Sequence, residues 1–276
     1  MSRRDGHIHG GRRGKALRGL KVQQLRAAAA FLTIVPYGSG QFPGELGPAR
    51  AYFPLVGLGL GGVLAGAAVL LRHVLPLSVV AAILLALLLV LTRALHTEGF
   101  ADCCDALFGG YTRERRLEIM RDPHAGAFAV IGTGALLLWQ WSALAALPGQ
   151  VQVQALLVVP CLSRLGMVVA LFGFPYARLE GLGSPFMRGT RPWQLAVALA
   201  TGLLATGLLA GWAGLLVSIG LLLAAWLVAA WVGRLLGGLT GDVYGAINEV
   251  GSVVGWTLWI GIFRAAPGLF RAPLGL

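Results

Sequence analysis

ALHTEGFADCCDALFGGYTRERRLEIMRDPHAG, residues 94–126, holds six of the chain's eleven acidic residues: Glu98, Asp102, Asp105, Glu114, Glu118 and Asp122. Apolar runs flank it, 77–95 before and 126–147 after, each close to the ~20 residues that cross ~30 Å of hydrocarbon in a helix. An acid-rich segment between two such runs belongs at the edge of a membrane. The pattern continues outward: 51–71, 153–174, 193–211 and 215–236 are of similar length and character, and a shorter run, 250–263, suits an oblique or re-entrant segment. The expected fold is all-α, a polytopic integral membrane helical bundle of six to seven transmembrane helices. Residues 20–35 begin with cations and turn apolar up to Pro36, which suits an additional N-terminal interfacial helix. Residues 1–19, rich in Gly, Arg and His without periodicity, read as a disordered basic tail. Residues 20–276 read as a single membrane-embedded domain.

Composition agrees. The chain is 57% hydrophobic and 12% charged, against about 25% charged in a soluble domain. The net charge of +11 does not point to nucleic acid, because eight of the 22 Lys and Arg residues precede residue 27. A basic segment beside a membrane sets orientation and touches anionic lipid. Cys103, Cys104 and Cys161 form neither a CxxC pair nor an even disulfide framework.

Orientation follows from the bias of Lys and Arg toward cytoplasmic loops. With the tail inside, Arg93, Arg113, Arg115, Arg116 and Arg121 return to the same face, followed by Arg178, Arg188 and Arg191, and then by Arg234 with the island GGLTGDVYGAINE, residues 237–249. The opposite loops contribute little beyond Arg72. The expectation is a multi-pass protein of the cell membrane with every polar cluster on its cytoplasmic face. A secondary transporter would more naturally bury carboxylates near the bilayer midplane.

Glu98, Asp102 and Asp105 have the spacing E-x3-D-x2-D. On a helix, positions i, i+4 and i+7 fall within roughly 60° of arc. Three like charges so placed repel unless a cation sits between them, and hard oxygen ligands suit Mg²⁺, which commonly bridges to substrate phosphates. A solvated helix start would use the same residues, but no Lys or Arg compensates them between 94 and 112. His96, just before the cluster, is a candidate base or phosphate donor. The following segment alternates in sign. Glu114 and Glu118 suit a surface helix laced with ion pairs, while Arg113, Arg116 and Arg121 could clamp phosphate. Asp122 precedes Pro123 and ends that helix. In the second island, glycines including Gly241 can turn backbone N–H groups toward an anion, and Asp242 and Glu249, seven positions apart, offer a second set of metal ligands. The loop FPYARLEGLGSPFMRGTRPW brings Tyr176 and Arg178 to the same face.

These residues resemble a family. LHTEGFADCCDALFGG with RRLEIMRDPHAGAFAVIG is similar to the signature of cobalamin synthase, the adenosylcobinamide-GDP ribazoletransferase family. His96, Glu98, Gly99, Ala101, Asp102 and Asp105 match its first block; Arg116, Met120, Arg121, Asp122, Gly126 and Phe128 match its second. FLTIVPYG, YFPLVGLGLG, PYARLEGLG and GGLTGDVYGA resemble further blocks in the same order. The chain departs at Ala129, where the family has Gly, and at Ser252, where it often has an acid. The resemblance implies a late step of cobalamin (vitamin B12) biosynthesis, in which adenosylcobinamide-GDP is joined to α-ribazole or its 5′-phosphate with release of GMP. It implies that Glu98, Asp102 and Asp105 hold Mg²⁺ and that Asp242 and Glu249 complete the site. Arg116 and Arg121 would contact phosphate beside Asp122, His96 would act as base or orienter, and Gly241, Tyr176 and Arg178 stand as substrate-binding positions. A wide cytoplasmic opening is expected for the large corrin. Two other readings stay open, another Mg-dependent membrane alcohol phosphotransferase and a corrinoid or cobalt transporter.

Overall fold

The computed structural model describes residues 21–38, 46–177 and 189–270. The expected basic tail therefore lies outside the described residues, as does Arg178. The interfacial segment is helical over 21–32 (α1). A 3₁₀ turn, Gly47–Tyr52, leads into α2, Phe53–Leu71; then come α3, Leu77–Thr92, α4, Leu95–Gly109, and the short α5, Arg113–Ile119. They are followed by α6, Ala127–Ala146, α7, Gln152–Gly173, α8, Pro192–Leu236, and α9, Gly241–Ala265. Among the described residues all regular structure is helical apart from one isolated bridge between Tyr176 and Leu239. The chain is an all-α, multi-pass membrane bundle: five helices are long and apolar enough to cross a bilayer, and six if the bent pair α3 and α4 counts as one span.

Two spans differ in form from the apolar runs. The run 77–95 ends at Thr92, where Arg93 (φ 55°) and Ala94 (φ 52°) are left-handed and α4 leaves at 91° to α3. The acid-bearing helix thus crosses the end of α3 instead of continuing it. The run 250–263 is the later part of α9, whose 25 residues also take in the polar island from Gly241 onward. The runs 193–211 and 215–236 are the two arms of α8. At 45 residues a straight α8 would reach ~67 Å, twice the hydrocarbon thickness. Instead the backbone leaves helical geometry at Gly211 (φ 63°, ψ −143°). Beyond the reversal, Gly214 packs on Thr206 and Ala210 so closely that an added Cβ would stand 2.6 Å from that of Ala210.

The core sits around α7, which is buried along nearly its whole length, as expected of a helix apolar all round. Small residues let its neighbours reach its backbone: Gly57 and Gly61 of α2 lie against the carbonyls of Pro160 and Leu156. That pairing runs antiparallel, so Phe53 is level with the later turns of α7. The Arg50 guanidinium, fully buried, ties this end to the start of α8. Its Nε donates to the Gln194 side-chain oxygen (3.1 Å) and its Nη2 to the Thr190 hydroxyl (2.8 Å), and it lies 5.0 Å over the Phe172 ring.

Candidate active site

Two helices meet here backbone to backbone. A Cβ on Gly99 of α4 would stand 2.8 Å from the Cα of Asp242, and one on Gly245 of α9 would stand 2.9 Å from the His96 carbonyl. With no side chain at either position, α4 and the first turns of α9 touch directly, which brings Glu98, Asp102 and Asp242 to the lining of one cleft. Thr240 caps α9 by accepting from the Val243 N–H (3.4 Å). The chain reaches that cap through Gly237 (φ 71°) and Gly238 (φ 150°), left-handed positions that favour glycine. Leu239 then pairs with the segment after α7, donating to the Pro175 carbonyl (2.8 Å) and accepting from the Ala177 N–H (2.8 Å). That bridge carries Tyr176 to the site.

α5 is a surface scaffold docked on this corner. The Thr112 hydroxyl caps it (3.2 Å), Arg115 pairs with Glu118 at 2.7 Å, and Arg113 Nε donates to the Leu236 carbonyl at the end of α8 (2.7 Å). Met120, 5% exposed, anchors its far end, with its sulfur 3.8 Å from the Thr240 hydroxyl. Arg121 therefore projects from a fixed point.

These parts enclose a cleft of about 390 Å³. Its polar lining includes His96, Glu98, Asp102, Arg121, Tyr176 and Asp242, with Gly241 among the backbone contributors. Its apolar wall is Phe31, Phe53, Met167 and Leu171, with Leu95 of α4 beside His96. His96 is 2% exposed and neither ring nitrogen has a hydrogen-bond partner. A buried polar group in that condition calls for an explanation.

Four of the expected site residues are placed elsewhere. The Asp105 carboxylate accepts from the backbone N–H groups of Gly126 (2.6 Å) and Ala129 (2.8 Å), so it caps α6 and does not converge with Glu98 and Asp102. Glu249, 6% exposed, is held inside the bundle. The Gln140 amide donates to it at 2.6 Å and the Thr97 hydroxyl at 3.4 Å, satisfying a carboxylate that burial would otherwise penalise. Arg116 donates through Nε to the Gly110 carbonyl (3.0 Å), closing the turn between α4 and α5. Asp122 is exposed and accepts from the His124 N–H (2.9 Å) and ring (2.7 Å). The backbone hydrogen bond, with the ring contact second, holds its carboxyl below the usual range. Among the described residues no group of three His, Cys, Asp or Glu side chains stands close enough to hold a metal ion. Mg²⁺ does not require three, because it commonly keeps several waters and binds one or two carboxylates together with substrate phosphate. One or two of Glu98, Asp102 and Asp242, which all line the cleft, would meet that donor chemistry. Tyr244, Gly245 and the apolar wall also line the cleft. No residue-level signal marks the wall, because Phe, Met and Leu at helical spacing read as core.

The family model described as Cobalamin-5-phosphate synthase matches residues 24–260, a span that includes every described residue of the cleft. A protein of Syntrophobacter fumaroxidans named adenosylcobinamide-GDP ribazoletransferase is 41% identical over 235 residues, covering 82% of this chain and 94% of its own. Proteins of the same name from Deinococcus radiodurans (40% over 260 residues, 92% and 90% covered) and Pseudomonas aeruginosa (41% over 236 residues, 83% and 94% covered) match as well. No solved structure matches the chain significantly. With the match running from α1 through most of α9 and taking in the α4 and α9 crossing that builds the cleft, the chain belongs to the cobalamin-5-phosphate synthase family.

Proposed function

We propose that this protein joins adenosylcobinamide-GDP to α-ribazole or its 5′-phosphate and releases GMP. One observation carries the reading: three carboxylates, a guanidinium and a buried unpartnered imidazole line a single cleft built on a backbone-to-backbone helix crossing. Transfer of a phosphoryl group out of a pyrophosphate uses such groups. A ribose hydroxyl oxygen attacks the phosphorus that bears the cobinamide; a P–O bond forms there, the pyrophosphate P–O bond breaks, and GMP leaves with the bridging oxygen. In this reading His96, buried at the edge of the cleft, would take the hydroxyl proton, and Arg121 would offer its planar fork to the phosphates. Bound Mg²⁺, held by one or two of Glu98, Asp102 and Asp242, would neutralise the pyrophosphate charge.

The cleft opens at the bundle end that carries Arg93, Arg113, Arg115, Arg116, Arg121, Arg191 and Arg234. Arg72 and Arg264 lie toward the other end. By the positive-inside bias the cleft faces the cytoplasm, where soluble nucleotide substrates reach it.

The test is GMP release by the purified full chain given adenosylcobinamide-GDP, α-ribazole and Mg²⁺. Asp102→Asn is expected to lower turnover by a factor on the order of 10² or more, the scale of losing one preorganised electrostatic contact at the reacting centre. Turnover near that of the parent would refute the role of Asp102. Corrinoid flux across vesicles without GMP would point to transport.

A further inference from the structure

We infer that the apolar wall of the cleft is the seat of the ribazole base, so that the nucleoside enters base first and the corrinoid reacts from the mouth. This rests on the transferase reading above. The cleft is two-sided in chemistry. α4 and α9 supply the ionisable side, whereas α1, α2 and α7 supply Phe31, Phe53, Met167 and Leu171. Phe31 and Phe53 lie near parallel, 6.1 Å between centroids and 21° between planes. Met167 and Leu171, 4% and 6% exposed, stand one helical turn apart on the end of α7. A nucleoside with a fused benzimidazole base has the same division: a flat, weakly polar bicycle at one end and ribose hydroxyls at the other. Seated against the aromatic and aliphatic wall, the base leaves its ribose pointing at His96, Asp102 and Asp242.

At about 390 Å³ the cleft lies at the small end of the ~300–1,000 Å³ range of pockets that enclose a drug-sized ligand, a size that suits a nucleoside better than a substituted corrin macrocycle. The wide opening expected for the corrin is therefore not needed within the cleft, since only the phosphate end of that substrate has to reach the carboxylates. Adenosylcobinamide-GDP carries a guanosine as well, and KM values taken for each substrate separately tell the two nucleosides apart. Thioethers adapt in shape to different ring edges, which makes Met167 a residue that sets base width.

The test uses the full chain in lipid-containing detergent, with each substrate varied separately and GMP followed. In Leu171→Trp the indole fills the wall; KM for α-ribazole is expected to rise about tenfold or more while KM for adenosylcobinamide-GDP stays within about twofold. In Met167→Ala, the ratio of kcat/KM for a riboside with a naphthimidazole base to that for α-ribazole is expected to rise about tenfold. Equal shifts in both KM values, or an unchanged base preference in Met167→Ala, would overturn the assignment. If Leu171→Trp does not accumulate, Met167→Ala decides alone. Absence of GMP release by the parent protein is a separate outcome, because it removes the transferase reading before any variant is made.

Discussion

Asp105 accepts from two backbone N–H groups at the start of α6, a place where a carboxylate also meets the positive end of the helix dipole. Removing such a cap costs about 1 kcal/mol. Asp105→Ala is accordingly expected to lower the detergent thermal-shift midpoint by a few degrees and to leave turnover per folded molecule within a few-fold of the parent. Asp102→Asn should do the reverse. A large loss of turnover in Asp105→Ala at an unchanged midpoint would return Asp105 to the metal site. The difference between these acids could not be read from spacing. Helical arithmetic puts Glu98, Asp102 and Asp105 on one arc, but the N-terminus of α6, brought back by the turn through α5, draws the third acid to itself. Glu249 has the same lesson: seven positions from Asp242, it meets Gln140 and Thr97 from neighbouring helices, which no pattern along α9 reveals.

Between α4 and α9, contact is made by main-chain atoms, and Gly99 is the residue that allows it. Gly99→Val would drive a branched side chain into the Asp242 backbone, spread the crossing and separate Asp242 from Glu98 and Asp102. The expected result is loss of GMP release together with a lower thermal midpoint. Gly59→Ala in α2, which meets open space, should be neutral or stabilising by up to ~1 kcal/mol on helix propensity alone. Equal effects of the two substitutions would argue against the crossing as the organiser of the site. The helices themselves were legible in their apolar lengths, and the reversal at Gly211 falls at the end of the apolar run 193–211. The right-angle turn at Arg93 and Ala94 was hidden, because left-handed geometry is ordinarily signalled by Gly or Asn and neither is present.

Antiparallel pairing of α2 with α7 and the reversal at Gly211 give the bundle two distinct ends. The cleft end carries the 93–126 segment, Tyr176 and the Gly237–Gly238 turn, while the far end carries 72–76, 147–151 and Gly211. Single cysteines at Tyr111 and at Gly149 should therefore react with a membrane-impermeant maleimide from opposite sides, Tyr111 only in inside-out vesicles. The native Cys103, Cys104 and Cys161 are free and buried, which keeps the background low. Labelling of both positions from one side would overturn the arrangement. This much of the molecule was readable from the placement of arginine and apolar runs, since both reflect the bilayer and not the details of packing. Helices adjust to a thicker or thinner bilayer by changing tilt, and two helices in main-chain contact rotate about the point where they touch. Gly99 rests on the Asp242 main chain and Gly245 on that of His96, so a change in the tilt of α9 would displace Asp242, close to the contact, less than residues farther along the helix.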